Sequence, residues 1–293
     1  MNLKTLINNN KKQFDKKFKS LLNRKLDKSI LSKAMYYGCI NGGKRIRPFL
    51  VMEAAKIANL SMNDAFIIAA SIECIHSYSL IHDDLPSMDN DDFRRGKLST
   101  HKKFNEATAI LAGDALHDLA FELISGNLYS KDNKSKLELI NYLSLSIGHN
   151  GLALGQNLDL EFENKKHSKN EILNMYSRKT GKLFEYSFSA PFILKNKSKT
   201  DIQFAKEYGM LFGLIFQVID DLIDEIGSFK KIGKTPGKDV DQGKSTLLQL
   251  IGEKQVTDLC NNKINIFIKK YKKRLSQNPI LIKILEFGMG RLN

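Results

Sequence analysis

The sequence predicts an all-α fold in a single domain spanning residues 1–293, and three observations carry that reading. Apolar residues recur at helical spacing over long stretches, no convincing run alternates apolar and polar residues as a strand does, and only five prolines occur. The clearest helix passes through Phe204, Tyr208, Leu211, Phe212, Ile215, Phe216, Ile219, Leu222 and Ile223, whose steps trace one face. Residues 65–81 are apolar nearly all round, which predicts a central helix with neighbours on most sides. Pro48 sits where the first turn of a helix would start, Pro86 follows an aspartate pair, and Pro236 lies in a Gly/Lys-rich loop. Loops are expected at 41–47, 85–96, 164–168, 195–200 and 227–243, with no interdomain linker and no fixed repeat. The result is a bundle of roughly ten helices of ordinary length.

Composition narrows the function classes. The hydrophobic fraction is 42%, enough for a sizeable core, and 46 Lys+Arg against 32 Asp+Glu leave a net charge of +14. A basic excess suits anionic partners, but much of it is lysine scattered among asparagine, as in Asn8-Asn9-Asn10-Lys11-Lys12, and reads as solvated surface. The cysteines, Cys39, Cys74 and Cys260, lack metal-ligand spacing, and their odd number suits a reducing compartment. The first thirty residues are polar and carry Asp15 and Asp27, unlike a secretory signal. The apolar stretches at 67–81 and 210–219 are interrupted by Glu73 and His76 or too short to span a bilayer. A cytoplasmic protein without membrane insertion is expected.

Two aspartate clusters carry the chemistry. Asp220, Asp221 and Asp224 fall at i, i+1 and i+4 near the end of an apolar helix, so Asp220 and Asp224 project from nearly the same side at about 100° per residue. Carboxylates this close repel one another unless cations neutralise them, and oxygen-only ligands favour Mg2+. The other cluster is Asp83-Asp84-Leu85-Pro86-Ser87-Met88-Asp89, followed by Asn90-Asp91-Asp92. On an unbroken helix Asp89 would lie about 240° round from Asp83; Pro86 argues against that helix, and a local bulge would return Asp89 to the side of Asp83. One acidic run is commonly a solvated turn, whereas two, each ending a strongly apolar helix, point to paired carboxylate walls holding Mg2+ and a polyanion.

Cations fall in order around these acids. Gly42-Gly43-Lys44-Arg45-Ile46-Arg47-Pro48 precedes a helix, where backbone N–H groups also favour anions. Arg94-Arg95-Gly96 follows the first cluster, and arginine suits bidentate phosphate contact. Lys179-Thr180-Gly181 offers a charge and a hydroxyl, and Lys234 and Lys244 lie in or beyond the loop after the second cluster. The segment from Gly237 to Ser245 imitates a P-loop but has five residues between its glycines and follows a helix, so a nucleotide P-loop is rejected.

These motifs, in this order and separation, resemble the short-chain trans-polyprenyl diphosphate synthase family, the bacterial farnesyl diphosphate synthases most of all, over residues 34–248. The resemblance implies an isoprenoid-synthase-like bundle around a central apolar cavity. It implies Mg2+, three ions to a substrate-bound site, with Asp83, Asp89 and Asp220 as chief ligands and Asp84, Asp221 and Asp224 in support. Arg94, Lys179 and Lys234 match allylic-diphosphate contacts, with Lys244 near the same group. Lys44, Arg47, His76 and Arg95 match the isopentenyl diphosphate site. Thr180 and Gln217 match residues that stabilise the carbocation region, and Gln156 matches a position near the site. Tyr78, five residues before Asp83 and roughly 7 Å along the helix axis, resembles the aromatic residue that limits product length.

The resemblance further implies a homodimer acting on isopentenyl and allylic diphosphates, with no nucleic-acid partner. Asn90 departs from the aspartate common in close bacterial relatives, and Arg291-Leu292-Asn293 resembles a basic tail that closes over the homoallylic diphosphate. Farnesyl diphosphate is the expected product. A geranylgeranyl synthase is the alternative, and a non-catalytic regulatory subunit a further one that both complete aspartate motifs disfavour.

Overall fold

The computed structural model describes residues 2–130, 132–226 and 244–289. Among them are twelve helices of eight residues or more, where the sequence suggested roughly ten. Cα packing divides the chain into two units, one holding the described residues up to Ile140 and the other those from Asn141 onward.

The first unit contains α1 (Leu3–Lys25), α2 (Ile30–Ile40), α3 (Ile46–Ala58), α4 (Met62–Asp83), a short hairpin, α5 (Thr100–Lys103), α6 (Glu106–Asn127) and the start of α7 (Asn133–Ile147). Its core is α4, packed against α3 and α6. Ser61 starts α4 as an N-cap, its side chain accepting from Asp64 N–H at 3.0 Å. Phe14 and Phe18 of α1 stack with ring centroids 5.2 Å apart, and Phe14 also meets Phe66 of α4. The helix corrects one expectation: over 22 residues α4 is long and apolar enough to cross a membrane by length and composition. Glu73 does not interrupt it, because that carboxylate is buried on a salt bridge to Arg45. With 78% of its most apolar window buried by protein, packing accounts for its character.

The hairpin is a second difference. Strands β1 (Phe93–Arg94) and β2 (Lys97–Leu98) pair antiparallel, Arg94 opposite Lys97, in a segment expected to be loop. Arg95 and Gly96 at its tip both take positive φ, 56° and 74°, as a tight hairpin turn requires.

The second unit holds the rest of α7, then α8 (Leu152–Glu161), α9 (Lys169–Tyr176), a π-helical turn (Ser177–Gly181), α10 (Lys182–Leu194), α11 (Lys199–Ile226), α12 (Leu247–Lys270), α13 (Lys272–Gln277) and α14 (Ile280–Met289). Its core is α10 against α11, with α12 and α14 also on α11. Every residue of α10 from Leu183 to Leu194 is buried. Phe184 packs on Phe212 and Phe216 with centroids 5.2 and 5.0 Å apart, and Phe188 on Tyr208 at 4.3 Å. Full burial of such a side chain contributes roughly 1.5–3 kcal/mol, so the α11 face read from the sequence helps stabilise this unit. Capping boxes at Ser168/Glu171 and Thr246/Gln249 begin α9 and α12.

Candidate active site

The first acidic segment begins where α4 stops. Asp83 is its last helical residue and Asp84 its cap. The expected bulge in a longer helix does not form; the helix ends and the chain doubles back. Asp89 N–H donates to the Asp83 carbonyl at 2.9 Å, Asn90 N–H to Leu85 at 3.0 Å and Asp91 N–H to Asp84 at 3.1 Å. These bonds satisfy carbonyls that a helix end leaves without intrahelical partners, and they bring the Asp89 backbone back to that of Asp83. Asn90 adopts φ 49°, the left-handed region where asparagine is well tolerated. That conformation is a local reason for asparagine at this position.

Asp83 and Asp89 are half-buried and Asp84 is buried. Arg94 reaches Asp84 from β1: its Nε donates to Asp84 Oδ1 at 2.8 Å, one Nη bonds the same oxygen, and that Nη lies 3.5 Å from Asp91. Burial pushes Asp84 up to about 6 despite the arginine beside it. Burial also works against the Arg94 charge, yet Asp84, Asp83 and Asp91 hold its pKa above the ordinary arginine value.

The neighbouring cations are set by the 41–47 segment. Gly42 and Gly43 take φ of 90° and 106°, and a Cβ on Gly43 would lie 2.7–2.9 Å from the Arg95 guanidinium, so only glycine leaves room for it. Arg95 donates to the Gly42 carbonyl at 2.7 Å, and its other Nη lies 3.5 Å from His76 Nε2. Burial pushes Arg95 down to about 10, still charged at neutral pH. Burial and then the charges of Arg47, Arg95, Arg45 and Arg94 push His76 well below the ordinary histidine value. The neutral imidazole can then accept from Arg95. Lys44 is exposed, while Arg47, expected in the loop, belongs to the first turn of α3 and is half-buried.

Arg45 is the residue that sequence reasoning misread. Grouped there with the loop cations, it turns inward at φ 53°, pairs with Glu73 at 2.5 Å and Asp15 at 2.8 Å, and donates to the Cys39 carbonyl at 2.7 Å. Glu73 was the available signal, since one acid inside an apolar helix needs a buried cation.

Tyr78 is half-buried on α4. Its ring meets His82 and His117 edge to face, each at 5.4 Å, and His117 packs against Phe121 at 5.1 Å. Burial, then Asp83 and Asp114, raise the pKa of its hydroxyl, which stays protonated.

In the second unit the acids sit on continuous helix. Asp220 is half-buried and Asp221 and Asp224 are buried, all on α11. Thr180 donates to Gln217 Oε1 at 2.5 Å, and Gln217 Nε2 donates to Asp221 Oδ1 at 2.8 Å. The Tyr176 hydroxyl donates to the other Asp221 oxygen and accepts from Leu247 N–H at 3.0 Å. Lys179 and Lys244 converge on Asp159, with Nζ 2.5 and 3.6 Å from Oδ2. Burial would raise Asp159, but the two lysines hold it below the ordinary carboxylate value.

Lys179 and Thr180 belong to the π-helical turn, a wider turn than the α-helix makes. A Cβ on Gly155 of α8 would lie 2.1 Å from Lys179 N, so the two backbones touch there and only glycine fits. Gln156, next to it, is buried, and its Nε2 has no hydrogen-bond partner among the described residues. Tyr176 was not singled out from the sequence. Nor was Asp159, although it lies three residues from Gln156 on the same helical face. Lys234 and the tail at 291–293 lie outside the described residues.

Among the described residues no group of three or more His, Cys, Asp or Glu is already gathered for a metal. Mg2+ commonly takes one or two carboxylates and completes its shell with water and substrate phosphate oxygens. The oxygen-only donors at both acidic ends therefore fit Mg2+ that binds together with a diphosphate.

Two acid-rich helix ends on an all-α frame, each with its own cations, mark the class, and the polyprenyl synthetase family model matches residues 28–285: the chain belongs to that family. It is 43% identical over 236 residues to the farnesyl diphosphate synthase of Micrococcus luteus, covering 80% of each chain. It is 39% identical over 259 residues to that of Bacillus subtilis, covering 87% of this chain and 85% of the relative. Among solved structures it is similar to a Helicobacter pylori geranyltransferase complexed with magnesium and isoprenyl diphosphate. That match has a TM-score of 0.83 and 32% identity and covers 98% and 96% of the two chains.

Proposed function

We propose that the chain is a Mg2+-dependent trans-prenyltransferase. It condenses isopentenyl diphosphate with dimethylallyl and then geranyl diphosphate to give farnesyl diphosphate. The observation that carries the reading is the pair of acid-rich helix ends, 83–89 and 220–224, each accompanied by cations. The relatives named farnesyl diphosphate synthase support the same product.

Asp83, Asp89 and Asp220 are assigned as chief Mg2+ ligands, three ions to a loaded site, with Asp84, Asp221 and Asp224 behind them. Arg94, Lys179, Lys234 and Lys244 are assigned to the allylic diphosphate, and Lys44, Arg47, His76 and Arg95 to isopentenyl diphosphate. The free donor of buried Gln156 supports its place near an oxygen-rich ligand. Bound Mg2+ supplies positive charge against the diphosphate's oxygens. Arg94 and Lys179 add fixed cations where negative charge develops as the allylic C–O bond breaks. The isopentenyl double bond then supplies the electron pair for the new C–C bond. A proton leaves the adjacent carbon for the departed diphosphate, and no protein nucleophile is needed. Thr180 and Gln217 present oxygen dipoles toward the cation, and apolar helices exclude water that would quench it.

The reading takes residues 1–293 as one catalytic domain in which both acidic ends serve one active site. It also takes the protein as a cytoplasmic homodimer without membrane insertion and without a nucleic-acid partner. The test is a product assay with purified protein, Mg2+, dimethylallyl diphosphate and labelled isopentenyl diphosphate, reading chain length after dephosphorylation. Farnesol as the main product is expected. Geranylgeraniol would keep the reaction and discard the length, and no Mg2+-dependent product from folded protein would sink the assignment in favour of a regulatory subunit.

A further inference from the structure

A cavity of about 710 Å3 opens in the first unit between the end of α1, α2, the hairpin and the end of α5, and none of the clustered aspartates lines it. Its size lies within the range of small-molecule sites. Leu26, Tyr36, Tyr37, Ile40 and Phe104 give it apolar walls, and Tyr37 meets Phe104 edge to face at 5.9 Å. Lys28, Lys33 and Lys97, all exposed, line it too, and none has an ion-pair partner among the described residues. The one acid, Asp27, is engaged by Ser29 through its N–H at 2.9 Å and its hydroxyl at 2.6 Å. An apolar body with an anionic head matches this surface.

The walls are tied to the cationic segments. Asn41, buried and lining the cavity, directly precedes Gly42-Gly43; its amide nitrogen donates to the Arg94 carbonyl at 3.4 Å. Its amide oxygen has no hydrogen-bond partner among the described residues. The Tyr37 hydroxyl donates to the Leu98 carbonyl at 2.6 Å, so one wall grips β2, and Lys97 is itself a β2 residue paired with Arg94. A ligand drawing on Lys97 would act on the hairpin that holds Arg94 and Arg95.

We propose that this cavity is an effector site for an anionic amphiphile, a molecule with a prenyl-sized or aromatic apolar body and a phosphate, sulfonate or carboxylate head, whose binding changes the affinity for isopentenyl diphosphate. The second half of the statement rests on the proposed prenyltransferase activity.

The probe is 8-anilinonaphthalene-1-sulfonate, followed by its fluorescence on the full chain and on the Lys33→Glu/Lys97→Glu variant, with circular dichroism as the folding control. Saturable binding at one site is expected, weakened at least about fivefold by the charge reversals, with turnover in the absence of dye unchanged. Saturating dye should move the KM for isopentenyl diphosphate by about fivefold, the lower end of ordinary coupling between sites, and should not do so in the variant. Displacement by farnesyl monophosphate would point to a prenyl phosphate as the natural ligand, and displacement by dodecanoate to a fatty acid. Displacement by neither, equal binding to both proteins, or competition with saturating substrate would overturn the proposal. Binding needs no catalysis. A protein inactive on prenyl substrates would therefore sink the activity and leave the cavity's test standing, with coupling then read from calorimetry of isopentenyl diphosphate binding.

Discussion

The two acid-rich segments bring carboxylates together in different ways. In the first unit α4 stops at Asp83, and backbone bonds from Asp89 and Asp91 to the carbonyls of Asp83 and Asp84 fold the chain back. In the second, Asp220, Asp221 and Asp224 ride on helix that continues to Ile226. Their partners differ in kind. Asp84 accepts from the guanidinium of Arg94, while Asp221 accepts from the Tyr176 hydroxyl and the Gln217 amide, both neutral donors. A turn gathers acids densely enough to need a full countercharge inside the protein. A helix spaces them by its own geometry, and at Asp221 two neutral hydrogen bonds add to that spacing.

The largest expected effect tests whether both segments are needed for the same reaction. Asp83→Ala and Asp220→Ala should each lower kcat by about a thousandfold or more, the scale of losing a charge-stabilising group, while far-ultraviolet circular dichroism stays unchanged. Near-normal turnover in either variant would remove that segment from the metal site. Next comes the difference in partners. Arg94→Ala leaves the buried Asp84 charge uncompensated and should cost about 3 kcal/mol of stability. Tyr176→Phe removes one neutral hydrogen bond and should cost about 1 kcal/mol. Urea unfolding measures both, and equal losses would erase the contrast between the turn and the helix. Tyr78→Ala should then lengthen the product without abolishing turnover. Its ring leans on His117 and, through it, Phe121, so truncation opens space below α4's acidic end; unchanged chain lengths would clear Tyr78 of that role.

The same contrast explains what the sequence made legible. Helical spacing alone placed Asp220, Asp221 and Asp224, and the apolar face from Phe204 to Ile223 is the core face of α11. The Asp83 turn was legible only as an interruption. Pro86 announced that the helix could not run through, but whether it would bulge or end depended on the backbone bonds made after it. Arg45 was hidden for a related reason. A Gly-Gly-Lys-Arg string reads as a row of solvent cations, and its inward turn follows from long-range demand by Glu73 and Asp15. The convergence of Lys179 and Lys244 on Asp159 joins α8, the π-helical turn and the segment leading into α12. No spacing rule within one helix could show it.

A further predicted effect, seen only on acidification, concerns the histidine among the arginines of the first unit. Burial and the guanidinium charges of Arg47, Arg95, Arg45 and Arg94 depress the His76 pKa, so the folded protein leaves this side chain neutral. The unfolded chain protonates it below the ordinary histidine value of about 6.5. Below that pH the unfolded state binds one more proton than the folded state, and stability falls as pH falls, by up to about 1.4 kcal/mol for each pH unit. Above it neither state is protonated and the contribution is flat. His76→Asn removes the titration while keeping a group that can accept from Arg95. The expected signature is a wild-type stability that declines more steeply than the variant's between pH 6.5 and 5.5, with parallel curves above pH 7. His101, whose pKa is also lowered by burial, is present in both proteins and cancels. Parallel curves over the whole range would mean that His76 is charged in the folded protein. The 3.5 Å approach of its Nε2 to Arg95 could then not be a hydrogen bond to a neutral imidazole.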